Sequence, residues 1–345
     1  MAMVRATDEE MERIEKGYWG RKWREISTDW RLYVMLIPLF FFLICWKYLP
    51  IGSMVMSFKY YNPASNKQIY GSDWIGIYWF KELMFGGFSQ GSLSTVGFWQ
   101  AFRNTFILSF YGLVFGFPFP IILALLFSEI KSTGYRAVAQ VLCYLPKFVS
   151  TVVITSLTVL LLRSQVKNNL GVITQYPGPI TQLLQLMTGN SDISIMSDPK
   201  CFRAVYQITG IWEAAGYGSI VYFAAILGIS PTNYEAARMD GATKFQQIRY
   251  VTIPGMTSTL VIMLILEVGK LLTIGYEKVI LLEGTTTSLY STAETISTYV
   301  WHLRSTPGIN QSVGAAADMF NSLISMLLVI GSNQIAKKVS KTSLY

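Results

Sequence analysis

Hydrophobic positions along this 345-residue chain gather in long unbroken runs, not in the narrow periodic stripes of a water-soluble helix. Residues 105–127 form 23 positions without a charge. As a helix they span about 35 Å, enough to cross a hydrocarbon core of roughly 30 Å. Five further runs pass the same test, at 33–51, 137–162, 204–229, 255–274 and 313–335. The expected fold class is therefore all-α integral membrane, with six transmembrane helices. Three longer polar stretches, 59–103, 163–203 and 276–311, alternate with short basic ones. The first run follows some thirty polar residues and no small-residue cleavage site comes after it, so it reads as an anchor, with a start expected at or near Met1.

Composition supports burial in lipid. Hydrophobic residues make up 52% of the chain and charged residues only 14%, about half the share of a soluble domain. A net charge of +8 would suit nucleic acid, but the basic residues sort by side of the membrane instead. Fifteen of the 28 Lys and Arg residues fall in the N-terminal segment, in the loops after the second and fourth runs and in the C-terminal tail. Ten fall in the three longer loops, and Lys47, Lys147 and Lys270 lie within the runs. Basic excess marks the cytoplasmic side, which places both termini there and leaves no case for nucleic acid. Residues 7–28 mix charges with Met, Ile, Tyr and Trp, the pattern of an amphipathic helix on the membrane surface or of a solvated lead-in. Cys45, Cys143 and Cys201 give no disulfide framework.

The most informative segment lies between the fourth and fifth runs, on the basic side. It reads Ser230-Pro231-Thr232-Asn233-Tyr234-Glu235-Ala236-Ala237-Arg238-Met239-Asp240-Gly241-Ala242-Thr243. Ser230 suits an N-cap with Pro231 at the first helical position. Gly241 is placed to end that helix with positive φ. Thr243 and Gln246 form a possible capping box for a second helix running towards Pro254. Local chemistry thus predicts helix, turn, helix.

This segment resembles the EAA loop of binding-protein-dependent ABC permeases, in which Glu-Ala-Ala, a Gly, two aliphatic positions and a Pro recur at set distances. Glu235, Ala236, Ala237, Gly241, Val251, Ile253 and Pro254 keep every spacing. By average residue usage, chance would produce that match on the order of once per 10⁷ or more start positions. Gly216-Tyr217-Gly218-Ser219-Ile220-Val221-Tyr222, Gly275-Tyr276-Glu277-Lys278 and the ending Ser343-Leu344-Tyr345 resemble the carbohydrate-importing branch, especially that for oligosaccharides and polysaccharide fragments.

The resemblance implies a type I importer permease with a methionine-permease-like core, in a bacterial inner membrane. Its expected parts are a cytoplasmic segment 1–32, a first transmembrane helix 33–58, an extracytoplasmic loop 59–103, a five-helix core 104–335 with the EAA loop at 230–254, and a cytoplasmic tail 336–345. Glu235, Ala236, Ala237, Arg238, Asp240, Gly241 and Pro254 would then dock a cytoplasmic ATPase dimer. Further implied partners are a second, homologous permease, expected as a heterodimer, an extracytoplasmic solute-binding protein and membrane lipid. The chain has no G-x-x-x-x-G-K-[ST] loop, so it is not itself an ATPase, and ATP with Mg²⁺ belongs to the partner. A permease for another small solute, or a non-transporting scaffold or sensor of the same fold, are the alternatives.

Polar and aromatic residues inside the runs are the candidates for a substrate path. These are Trp212, Glu213, Tyr217, Tyr222, Glu267, Lys270 and Asn321, with Lys147 and Asp318 also inside the runs. Glu267 and Lys270, three apart, are placed either to pair or to line a pore. Gly112 and Gly116 are spaced for close helix packing or for a hinge. An enzyme would need more than Gly87-Phe88-Ser89-Gln90-Gly91: that pattern requires a strand-to-helix elbow and a triad, and the single histidine is His302. A stand-alone channel or secondary transporter has no use for an ATPase-docking loop.

Overall fold

The apolar runs fold as helices, because only internal hydrogen bonding satisfies a backbone placed in lipid. A computed structural model describes residues 22, 28–62, 69–85, 97–164, 166–167, 173–190, 193–284, 289–305 and 310–340. Most of 7–28, the motif at 87–91, residues 285–288 and the ending 343–345 lie outside the described residues. The chain divides into two units, Met1–Met56 and Ser57–Tyr345.

The described part of the first unit is essentially one helix, α1 (Trp30–Leu43), apolar all round as a lipid-facing span requires. A π turn and a 3₁₀ stretch prolong it into a 29-residue run, Trp30–Phe58.

The second unit begins with a short antiparallel pair, β1 (Lys59–Tyr60) on β2 (Asp73–Trp74), with Lys59 opposite Trp74. Helices α2 (Tyr78–Phe85) and α3 (Phe98–Tyr111) follow, and α3 continues through a π turn into α4 (Pro118–Glu129). Helix α5 (Thr133–Tyr144) and α6 (Thr151–Leu162) come next, then the pair β3 (Val166–Lys167) and β4 (Ile173–Gln175) and helix α7 (Pro179–Thr188). The 29-residue α8 (Pro199–Leu227) leads to α9 (Pro231–Met239), α10 (Lys244–Gln247), α11 (Ile253–Gly255) and α12 (Thr257–Gly269). Helices α13 (Tyr276–Glu283), α14 (Tyr290–Ala293), α15 (Ile296–Ser305) and α16 (Asn310–Ser340) complete it.

Four helical runs are long and apolar enough to cross a membrane unbroken: Trp30–Phe58, Phe98–Glu129, Pro199–Leu227 and Gln311–Lys338. The other two expected spans are broken. Thr133–Phe148 and Thr151–Leu162 meet at 94°, and Lys244–Gly255 and Thr257–Gly269 at 67°, so the described residues hold four to six spans. The first break has a local cause. Pro146 removes a donor from the turn at Leu145–Phe148, and Ser150 starts a new helix by accepting a hydrogen bond from the Val152 N–H at 3.3 Å. At the second, Pro254 precedes Met256, whose φ −102° and ψ 9° leave the helical region.

Helix α8 is the spine of the second unit. Its glycines allow backbones to touch: a methyl at Gly216 would fall on the Cys143 carbonyl of α5, and one at Gly218 would lie 3.3 Å from Pro120 of α4. Gly112 and Gly116 face the same helix, at Gln207 and Ile211. At its far end α8 is tied by polar contacts instead. The buried Asn104 amide donates to the carbonyls of Ser291 (3.1 Å) and Glu294 (3.2 Å), and its carbonyl accepts from Arg203 (3.1 Å). Thr292 donates to the Pro199 carbonyl at 2.9 Å. An apolar cluster of Trp79, Phe98, Ile296, Tyr299, Leu303 and Val313 joins α2, α3, α15 and α16 beside it.

Candidate functional site

Helix α9 and its turn take the geometry their residue types dictate. Gly241 has φ +76°, and the turn closes with two hydrogen bonds, from the Gly241 N–H to the Arg238 carbonyl (3.0 Å) and from the Ala242 N–H to the Ala237 carbonyl (2.9 Å). That is a Schellman ending, which needs a left-handed residue at Gly241. Thr243 and Gln246 form the reciprocal capping box of α10. Ser230 precedes Pro231 as expected, but its hydroxyl pairs with that of Thr232 at 2.7 Å and caps no N–H.

Two further bonds hold α9 and its turn to the segment that leads into α12: Tyr234 Oη to Thr252 Oγ1 at 3.1 Å, and Gln247 Nε2 to the Ala242 carbonyl at 2.9 Å. Glu235, Ala236, Arg238, Asp240, Gly241 and Pro254 are exposed, and Ala237 is half-buried. Next to them stand Met239, Phe245 and Tyr250, at 88%, 71% and 68% exposure. Sequence reasoning passed over these three, although large apolar side chains in a charged loop are a signal in their own right.

Along α8 run two cavities with a common wall. The first, of about 390 Å³, is bounded by Gly112, Gly116, Pro120, Gln207, Tyr222, Glu267 and Lys270. The second, of about 430 Å³, is bounded by Thr151, Glu213, Tyr276, Glu277 and Lys278. Both include Tyr206, Gly210 and Ala214. Of the sequence candidates, Tyr222, Glu267 and Lys270 thus come together at the first cavity and Glu213 at the second. Lys270 pairs with Glu267 at 2.9 Å, and both residues bound the first cavity. Trp212 and Tyr217 are exposed on other faces of α8, at 54% and 48%, with Tyr217 edge-on to Phe148. Asn321 donates to the Leu272 carbonyl at 2.8 Å, tying α16 to the turn after α12. Asp318 pairs with Arg304 at 2.7 Å.

In the segment between α12 and α16, a second polar group is buried around Glu294. Its Oε1 lies 3.1 Å from His302 Nδ1, with the Tyr290 ring 5.5 Å from the imidazole. Glu283 is 3% exposed beside them; burial first, and then the Glu294 charge, push its carboxyl up to about 8. A carboxyl raised from its unfolded value holds its proton in the folded state, so the contribution of Glu283 to stability is full below about pH 4.5 and is lost as pH rises through about 8. The thermal midpoint of the detergent-purified chain should fall between pH 5 and 8.5. Glu283→Gln should flatten that slope, and scanning fluorimetry at fixed ionic strength reads the difference.

Residues 116–332 match the family described as "Binding-protein-dependent transport system inner membrane component". Protein LplB of Bacillus subtilis (strain 168) is 33% identical over 320 residues, covering 93% of this chain and 92% of that protein. The polygalacturonan/rhamnogalacturonan transport system permease protein YteP of the same organism is 33% identical over 317 residues, covering 91% and 90%. A chain from the crystal structure of a bacterial ABC transporter involved in the import of the acidic polysaccharide alginate superposes with TM-score 0.76 at 34% identity, covering 93% of this chain and 99% of that one. A chain from the alginate transporter in complex with its pentasaccharide-bound periplasmic protein gives TM-score 0.77, also at 34% identity, covering 94% and 100%.

Proposed function

This chain belongs to the family of inner-membrane components of binding-protein-dependent transport systems, and from that membership we propose that it is one permease of an ATP-driven importer for oligosaccharides or polysaccharide fragments. It is a transport component with the fold of a type I ABC importer permease. The observation that carries the reading is the rigid, exposed α9 unit, from Glu235 to its left-handed turn at Gly241, in a chain similar over more than nine-tenths of its length to a polygalacturonan/rhamnogalacturonan permease and to a chain of an alginate importer.

In this reading there are six spans, each bent pair crossing once, with both termini cytoplasmic as the basic loops require. Helix α9 sits in a groove of a separate ATPase, with Ala236 and Ala237 allowing close approach and Glu235 and Asp240 meeting basic residues. Met239, Phe245 and Tyr250 extend the same surface. Because Tyr234–Thr252 ties α9, and Gln247–Ala242 ties its turn, to the segment that leads into α12, closure of the ATPase dimer on ATP is passed to the cavities along α8 as a rigid-body shift. A second, different permease completes the pore, and a loaded extracytoplasmic binding protein docks on the outer segments. The pore opens outward for loading, and hydrolysis returns it to the inward state.

Tagged, gently extracted chain should copurify with a second permease and an ABC ATPase. Recovery of the chain alone, from membranes in which both are detected, would count against the assembly.

A further inference from the structure

Halfway along α8, Glu213 Oε1 accepts from Lys147 Nζ at 3.2 Å, while its Oε2 lies 3.9 Å from Lys278 Nζ. The three residues come from separate segments: the break between α5 and α6, the middle of α8 and the first turn of α13. One carboxylate faces two ammonium groups, and its shorter contact is with Lys147. That side chain is 43% exposed, whereas those of Glu213 and Lys278 are 12% and 11% exposed. Lys278 is therefore the less well matched of the two cations and the more enclosed. Its other support is the face of Tyr206, whose ring centroid is 4.8 Å from Nζ. Gly210 leaves it room, since a methyl there would stand 3.3 Å from the same nitrogen.

A purely structural ion pair buried at this depth would be expected to match charge for charge at close range. Here the cluster has one carboxylate for two ammonium groups, and its Lys278 and Glu213 bound a cavity of about 430 Å³, within the usual size range of small-molecule sites. Glu277, the other acid bounding that cavity, is exposed.

We propose that Lys278, with Lys147 and Glu213, forms a carboxylate-exchange site that selects uronate-bearing oligosaccharides over neutral ones. A passing uronate takes the Lys278 ammonium while Glu213 stays with Lys147; when the sugar moves on, Glu213 again screens both lysines. Contact with each carboxylate is charge-assisted yet reversible, because the protein supplies its own competing acid. A neutral sugar offers only hydroxyls to the same ammonium. The proposal rests on the oligosaccharide reading above. It agrees with the likeness to an importer of the acidic polysaccharide alginate.

The test uses the complete importer, with its partner permease, ATPase and binding protein, in liposomes. It is offered an equal-mass mixture of partial hydrolysates of polygalacturonate, alginate, galactan and xylan, and the lumenal sugars are identified by mass spectrometry after ATP is supplied. Uronate oligomers should accumulate preferentially. Lys278→Gln should lower their uptake at least tenfold, with Lys278→Arg restoring most of it, which separates loss of charge from loss of fold. Preferential uptake of neutral oligomers by the unmodified importer, or unchanged uronate uptake in an assembled Lys278→Gln importer, overturns the exchange site and leaves the oligosaccharide reading standing. Accumulation of no sugar from any hydrolysate overturns both.

Discussion

Gly241→Pro abolishes recovery of the ATPase with this permease while the chain still inserts into the membrane. The turn after α9 needs φ near +76°, and proline is held near −65°, so the substitution cannot adopt the native turn. It also deletes the N–H that donates to the Arg238 carbonyl. Nothing lies within 4 Å of a side chain at this position, so the demand is on conformation and not on space. Gly241→Ala should therefore cost only about 1–2 kcal/mol and weaken docking in part. Glu235→Lys leaves the turn intact and reverses an exposed charge, so it should reduce ATPase capture by a different route. Quantitative pull-down with membrane-inserted protein as the denominator distinguishes the three, and full ATPase recovery with Gly241→Pro would remove α9 as the docking element.

The second large effect lies inside the membrane region. Gly216→Ala places a methyl on the carbonyl of Cys143, which is backbone and cannot rotate aside. Helices α5 and α8 must part, and overpacking of this kind usually costs about 1–3 kcal/mol or more. Gly218→Ala meets only the Pro120 ring at 3.3 Å and should be milder, and Gly331→Ala in α16 has open space and should be neutral or slightly stabilising. Thermal unfolding of the detergent-purified variants should rank them 216, 218, 331 from most to least destabilised. Equal midpoints for the first and the last would contradict the close α5–α8 crossing.

How much of this was legible in the sequence follows from the range of the forces involved. The turn at Gly241 and the capping box at Thr243 and Gln246 are set within four or five residues, so residue types alone disclose them. The apolar runs disclose their helices for the same reason. The 94° break was hidden, because residues 137–162 are apolar enough for one straight span and a proline such as Pro146 is tolerated in many membrane helices. Helical aromatics show their identity but not their direction: Tyr222 is buried at a cavity, whereas Trp212 and Tyr217 of the same helix are half-exposed. Lys278 was invisible as a partner of Glu213. It is 65 positions away, in a stretch that reads as an outer loop, and only the folding of α13 back onto α8 joins them. The EAA spacing pointed to the family; the contacts around its cavities needed the third dimension.

ATP-driven flux is the most direct test of the central claim, with the reconstituted assembly taking up a labelled oligosaccharide mixture in the presence and absence of ATP and of the binding protein. Accumulation that requires both, and that falls to background when this permease carries Gly241→Pro, is the predicted result. Uptake that persists without ATP, or that is unchanged by Gly241→Pro, would contradict it.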